Sequence, residues 1–161
     1  KECKSNSRKR EIKNNQNMNK KKKKKALAIA KKNSEIHRIS NNIKFFNKSV
    51  DSKFNEKFDL IVSNPPYIQS SEIKNLSEDI KRYEPIIALD GGNDGLDLIK
   101  KIIYKAKYIL KVKGMLALEI GNGQFKKVSE ILIKKNFKIE HIIKDYKTNV
   151  RCIISRYIKS N

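Results

Sequence analysis

Residues 58 to 68 read Phe58-Asp59-Leu60-Ile61-Val62-Ser63-Asn64-Pro65-Pro66-Tyr67-Ile68, an apolar run that stops at two consecutive prolines. Two prolines fix two φ angles and remove two N–H donors, so neither a helix nor a central strand continues through them. The run therefore reads as a buried strand of the kind found in parallel sheets, ending at Ser63. The residue before each proline is pushed toward extended backbone, which makes Asn64 and Pro65 a stiff ledge at the carboxyl end of that strand. Carbonyl groups on such a ledge are free to accept. The Asn64 side-chain carbonyl and the Pro65 main-chain carbonyl can together accept both hydrogens of one NH₂ group, while Tyr67 offers a ring face to a flat substrate. A bare Pro-Pro dipeptide after a strand is more often only a turn. The Asn before it and the Tyr after it favour a site that orients a planar nitrogen.

The 161 residues and 38% hydrophobic content suffice for one domain with a core. Two cysteines, Cys3 and Cys152, build no disulfide framework, and no Cys/His cluster suggests a metal, so no metal site is expected. No apolar stretch has the length of a membrane span, and the chain opens on Lys1 without a secretory h-region. A cytoplasmic, membrane-free monomer is the expectation. The formal charge is +21, and residues 1–25, with 12 Lys and Arg against Glu2 and Glu11, carry +10 of it. Clustered lysines attract phosphates, so weak, non-specific nucleic-acid contact through this segment is expected, against a plain solvated basic surface.

Residues 1–25 show no apolar periodicity and end in the run Lys20 to Lys25, so they read as a disordered tail, with the folded domain spanning 26–161. Ala26, Leu27, Ile29 and Ala30 then recur at helical spacing toward Asn33–His37. Ile43 to Phe46 reads as a short strand. After a polar stretch to Ala88, the turn-rich Asp90-Gly91-Gly92-Asn93-Asp94-Gly95-Leu96 supplies an Asp or Asn cap for a helix carrying Leu98, Ile99, Ile102, Ile103, Ala106 and Ile109-Leu110. Lys111 to Gly114 separate this helix from the strand Met115 to Ile120. Gly121 to Gln124 lead into a helix with Val128, Ile131, Leu132 and Ile133, and strands near 138–143 and 150–157 close the chain as an antiparallel hairpin. Alternating strands and helices mark an α/β fold.

The ordered motifs resemble those of peptide chain release factor glutamine N(5)-methyltransferases of the HemK type. The resemblance rests on Phe58 to Ile68, then Arg82-Tyr83-Glu84-Pro85 with Ala88-Leu89, Gly91 to Leu96, Leu118-Glu119-Ile120-Gly121 with Gln124, and Lys144-Asp145-Tyr146 through Asn149 and Arg151. Asn-Pro-Pro-Tyr alone is shared with methyltransferases acting on nucleic-acid amines. The segments after it are more selective.

The resemblance implies the class I, Rossmann-like, seven-stranded fold of S-adenosylmethionine-dependent methyltransferases. It implies methyl transfer from S-adenosyl-L-methionine to the glutamine amide in the Gly-Gly-Gln loop of a peptide chain release factor. Asn64, Pro65, Pro66 and Tyr67 carry over as catalytic and substrate-binding residues, and Asn64 with Ser49 as cofactor-side positions. Glu84 and Asp94 are expected to be structural, because an in-line amide nitrogen needs positioning rather than a carboxylate base. Glu119 is expected to hydrogen-bond to backbone. His37 and His141 have no ligand-spaced partners.

The glycine-rich cofactor loop of the class is absent: all six glycines follow Tyr67, beginning at Gly91. Lys20 to Lys25 stand where an acidic ribose-binding residue is expected. These departures, the non-Met start and the composition change at Lys25–Ala26 suggest a C-terminal portion of a longer enzyme, with its own activity in doubt. An upstream reading frame encoding a strand followed by Asp/Glu-x-Gly-x-Gly would support that origin, and its absence from all three frames would refute it. Two other readings stay open: a nucleic-acid amine methyltransferase, and a non-catalytic basic protein that binds RNA through its lysines.

Overall fold

The computed structural model describes residues 24–159. The expected disorder of residues 1–25 lies outside the described residues, except at Lys24 and Lys25, which are helical. The described residues divide into two compact units at Ser49–Val50.

In the first unit, helix α1 covers 24–36, as the apolar spacing from Ala26 requires. The strand expected at Ile43–Phe46 does not form; these residues are irregular, and Ile43 and Phe46 are exposed. No strand exists among the described residues of this unit to pair with them, and an extended segment without a partner leaves its N–H and C=O groups to water.

The second unit is a four-stranded mixed sheet in the order β1-β2-β4-β3, with β1 Phe58–Ser63, β2 Leu110–Glu119, β3 Phe137–Lys144 and β4 Val150–Tyr157. β1 and β2 run parallel; β4 is antiparallel to both β2 and β3. Helices α3 (Asp97–Ile109) and α4 (Phe125–Lys134) connect the strands, and a short α2 (Glu78–Tyr83) lies in the stretch between β1 and α3.

The core follows from alternation. Leu116 and Leu118 of β2 are buried opposite Ser155 and Ile153 of β4, and all four share the sheet face that meets Ile99, Ile103 and Ala106 of α3 with Val128 and Leu132 of α4. The expected break at Lys111–Gly114 is a bulge within β2. Phe58 pairs with Leu110 but Leu60 with Met115, and Lys113 takes the left-handed φ of 69° that the excursion needs.

β1 departs from its expected full burial. Leu60 is 49% and Val62 72% exposed, because β1 is bonded to a neighbour on one side only. The hairpin forms as expected: Asp145 Oδ1 accepts from the Lys147 and Asn149 amides at 2.9 and 3.0 Å, and Thr148 adopts φ 65° to close the turn.

Candidate amide-binding site

The carboxyl end of β1 runs directly into Asn64, which is exposed, and Pro65, which is buried. Asn64 to Ile68 line a cavity of about 180 Å³ together with Ala88 and Leu89. The two stretches are stitched together by main-chain bonds: the Ile68 amide to the Leu89 carbonyl at 3.1 Å, the Gly91 amide to the Ile68 carbonyl at 2.8 Å, and the Ser70 amide to the Gly92 carbonyl at 3.0 Å. The ledge is thus backed by the following loop, not left as a free turn.

That loop is held by two carboxylates. Asp90 Oδ1 accepts from Ser70 Oγ at 2.7 Å and from the Gly92 amide at 2.9 Å, and these bonds, the Ser70 hydroxyl foremost, lower its pKa below the ordinary carboxylate value. Asp94 accepts from Lys100 Nζ at 2.6 Å and from the Leu96 amide at 3.0 Å, and Lys100 is the main reason its pKa is lowered. The expected Asp or Asn cap on α3 is therefore modified: Leu96 is the N-cap and makes no side-chain cap bond, while Asp94 forms a turn just ahead of it. With both oxygens engaged, Asp94 is structural. Glu84 ends α2, exposed to solvent.

Tyr67 is the centre of the arrangement. A Cβ built on Gly91 would lie 2.8 Å from Tyr67 Cα, one on Gly121 would lie 2.9 Å from its ring carbon Cδ2, and one on Gly95 would collide with its carbonyl oxygen. Three glycines from two separate motifs form a socket for one residue. Gln124 joins the pieces: its Nε2 donates to the Tyr67 carbonyl at 2.9 Å and the Gly95 carbonyl at 3.3 Å, and its Oε1 accepts from the Gly121 amide at 2.8 Å. From β4, Arg151 Nη2 donates to the Tyr67 hydroxyl oxygen at 2.9 Å. Glu119 Oε1 stands 3.8 Å from that same nitrogen, so its observed partner is Arg151 and not the backbone expected from sequence.

Sequence reasoning singled out Asn64 to Tyr67 and quoted Gly91, Gly95, Gly121, Gln124 and Arg151 only as motif letters; no single-residue signal assigned them contacts with Tyr67. Ser49 is exposed and belongs to the other unit.

A complete S-adenosylmethionine pocket does not fit the described residues. The cavity is smaller than the roughly 300–1,000 Å³ usual for such ligands, and no glycine precedes β1 to let a backbone approach a cofactor. What the structure shows is that Asn64, Pro65 and Tyr67 line one cavity, which brings two carbonyl-bearing residues and an aromatic ring to the same place.

Comparison with known proteins places these features. The family described as Eco57I restriction-modification methylase matches residues 1–150. A release factor glutamine methyltransferase from Clostridium acetobutylicum is 46% identical over 100 residues, covering 62% of this chain and 35% of that protein. Another of the same name, from Thermodesulfovibrio yellowstonii, is 39% identical over 132 residues, covering 81% of this chain and 47% of that protein. The chain thus spans less than half the length of these relatives. Among solved structures, a ribosomal protein L11 methylase from Lactobacillus delbrueckii subsp. bulgaricus superposes with a TM-score of 0.55 at 19% identity, over 81% of this chain and 52% of that one. Its likeness is one of fold: part of the class I methyltransferase α/β architecture.

Proposed function

From the premise that this chain belongs to the methylase family represented by the Eco57I restriction-modification enzymes, with release factor glutamine methyltransferases among its relatives, we propose that it carries the substrate side of a protein-glutamine N-methyltransferase. The observation that carries this reading is the cavity of Asn64 to Ile68 closed by Ala88 and Leu89, with Tyr67 fixed in its glycine socket. The substrate is the glutamine of a release factor's Gly-Gly-Gln loop. Its NH₂ hydrogens are accepted by Asn64 Oδ1 and the Pro65 carbonyl, which orients the nitrogen and offsets the positive charge that develops on it during methylation. S-adenosyl-L-methionine is the methyl donor of the class, and the described residues do not enclose it. The setting is the cytoplasm, the chain acts as a monomer, and the lysine-rich residues 1–25 add weak nucleic-acid contact. Among the described residues no helix is long and apolar enough to cross a membrane.

Calorimetric titration with a release factor tests the clamp. The wild-type loop should bind, a loop with Gln→Glu should bind about ten- to a hundredfold more weakly because it has no NH₂ to offer, and Asn64→Ala should weaken the Gln loop to a similar degree. Equal binding of Gln and Glu loops would overturn the reading. So would a methyl-label assay in which DNA or RNA, offered beside release factor, alone becomes labelled.

A further inference from the structure

Arg151 stands 84 residues beyond Tyr67, in β4, yet its guanidinium reaches the Tyr67 hydroxyl at 2.9 Å, with its carbon 5.4 Å from the ring centroid. A guanidinium has donors and no acceptor. In this bond the phenolic oxygen must accept, so the hydroxyl hydrogen is turned away from Arg151. The ring's other contacts act on its edge and on the backbone: Gly121 lies against Cδ2, and Gln124 bonds the carbonyl. Neither fixes the hydroxyl end. Arg151 is itself half-buried and is steadied by Glu119 Oε1 at 3.8 Å, while its main-chain carbonyl accepts from the Ile120 amide at 3.0 Å.

We propose that Arg151 is a positioning residue of the amide site, one that touches no substrate and acts by locking the plane and the hydroxyl direction of Tyr67. Glu119 serves it by holding the guanidinium in register. The sheet thereby transmits order from β4 to the end of β1 through a side chain. The catalytic meaning of this lock rests on the amide-clamp reading, but the lock itself does not.

The test uses the whole chain with its six tyrosines carrying ¹³C at Cζ, which reports the hydroxyl environment, and at both Cε positions, whose exchange reports ring flips, the Tyr67 resonances being identified by their loss in Tyr67→Phe. In Arg151→Met the Tyr67 resonance should move and its ring should flip faster, while the other five stay in place; Arg151→Lys, which retains a donor, should bring the signal part of the way back. A Tyr67 resonance and flip rate unchanged in Arg151→Met would overturn the proposal. Should Arg151→Met fail to fold, Glu119→Gln decides: a smaller displacement of the same resonance supports the lock, and none refutes it.

Titration with a peptide containing Gly-Gly-Gln forms the second arm. Arg151→Met should raise the peptide Kd about three- to tenfold, and adding it to Tyr67→Phe should cost little more, since both remove one link. Full additivity of the two substitutions would count against Arg151 acting through Tyr67. If the wild-type chain does not bind the peptide at all, the glutamine reading fails while the tyrosine signals still decide the role of Arg151.

Discussion

At the scale of the residue, Gly95 shows how tightly the site is specified. It sits at φ 71°, and the space its missing Cβ would take is filled by the Tyr67 carbonyl and, at 2.8 Å, by Gln124 Nε2. Gly95→Ala should therefore cost both the left-handed backbone penalty and an overpacking penalty, about 2–4 kcal/mol together. Urea denaturation measures it, and a loss below about 0.5 kcal/mol would mean that the socket yields easily. Asn64, Pro65, Pro66 and Tyr67 were legible in the sequence because two prolines after an apolar run constrain backbone whatever the tertiary context. Arg151 and Gln124 were not legible as contacts. An arginine in a strand and a glutamine before a helix are locally ordinary, and only the folded sheet brings them to Tyr67.

At the scale of the element, α3, α4 and the β3–β4 hairpin follow from periodicity alone, since each has an apolar stripe and a turn of its own. Ile43–Phe46 and β1 show where that reasoning stops: a strand's pairing and burial belong to its neighbours. The loop from Leu89 to Leu96 was visible as turn-rich, but its bonding to Ile68 and Ser70 is long-range. This loop should respond to acid. Asp90 and Asp94 have lowered pKa values in the folded chain, so each stabilises the loop fully above the unfolded-state value, roughly pH 4, and the contribution is lost as pH falls through the lowered folded values. Amide exchange of Gly91 and Gly92 should thus stay slow, after correction for intrinsic rates, down to about pH 4 and quicken below it. Asp90→Asn should flatten that dependence; an unchanged pH profile would show that the Ser70 and Gly92 bonds do not hold the loop.

At the scale of the whole molecule, the sheet ends on one side at β1, whose Leu60 and Val62 face water beside an apolar cavity of about 300 Å³ lined in part by Phe54, Ile61, Val62 and Ile102. An open parallel strand with exposed branched side chains is a template for unwanted pairing. Val62→Lys should leave the urea midpoint nearly unchanged, because Val62 is already 72% exposed, and should lower light scattering in concentrated solution. Unchanged scattering would remove β1 as the source of association. The socket around Tyr67 has a different reach, into descent. Gly91 and Gly95 are kept small by the Tyr67 backbone and Gly121 by its ring, so a lineage that replaced Tyr67 with alanine would lift part of the constraint from Gly121 alone. In a library randomised at positions 67, 91, 95 and 121, survivors should carry larger residues at 121 mainly where position 67 has shrunk, while 91 and 95 stay glycine whatever stands at 67; two letters that lie far apart along the chain, 67 and 121, would then be inherited as one trait.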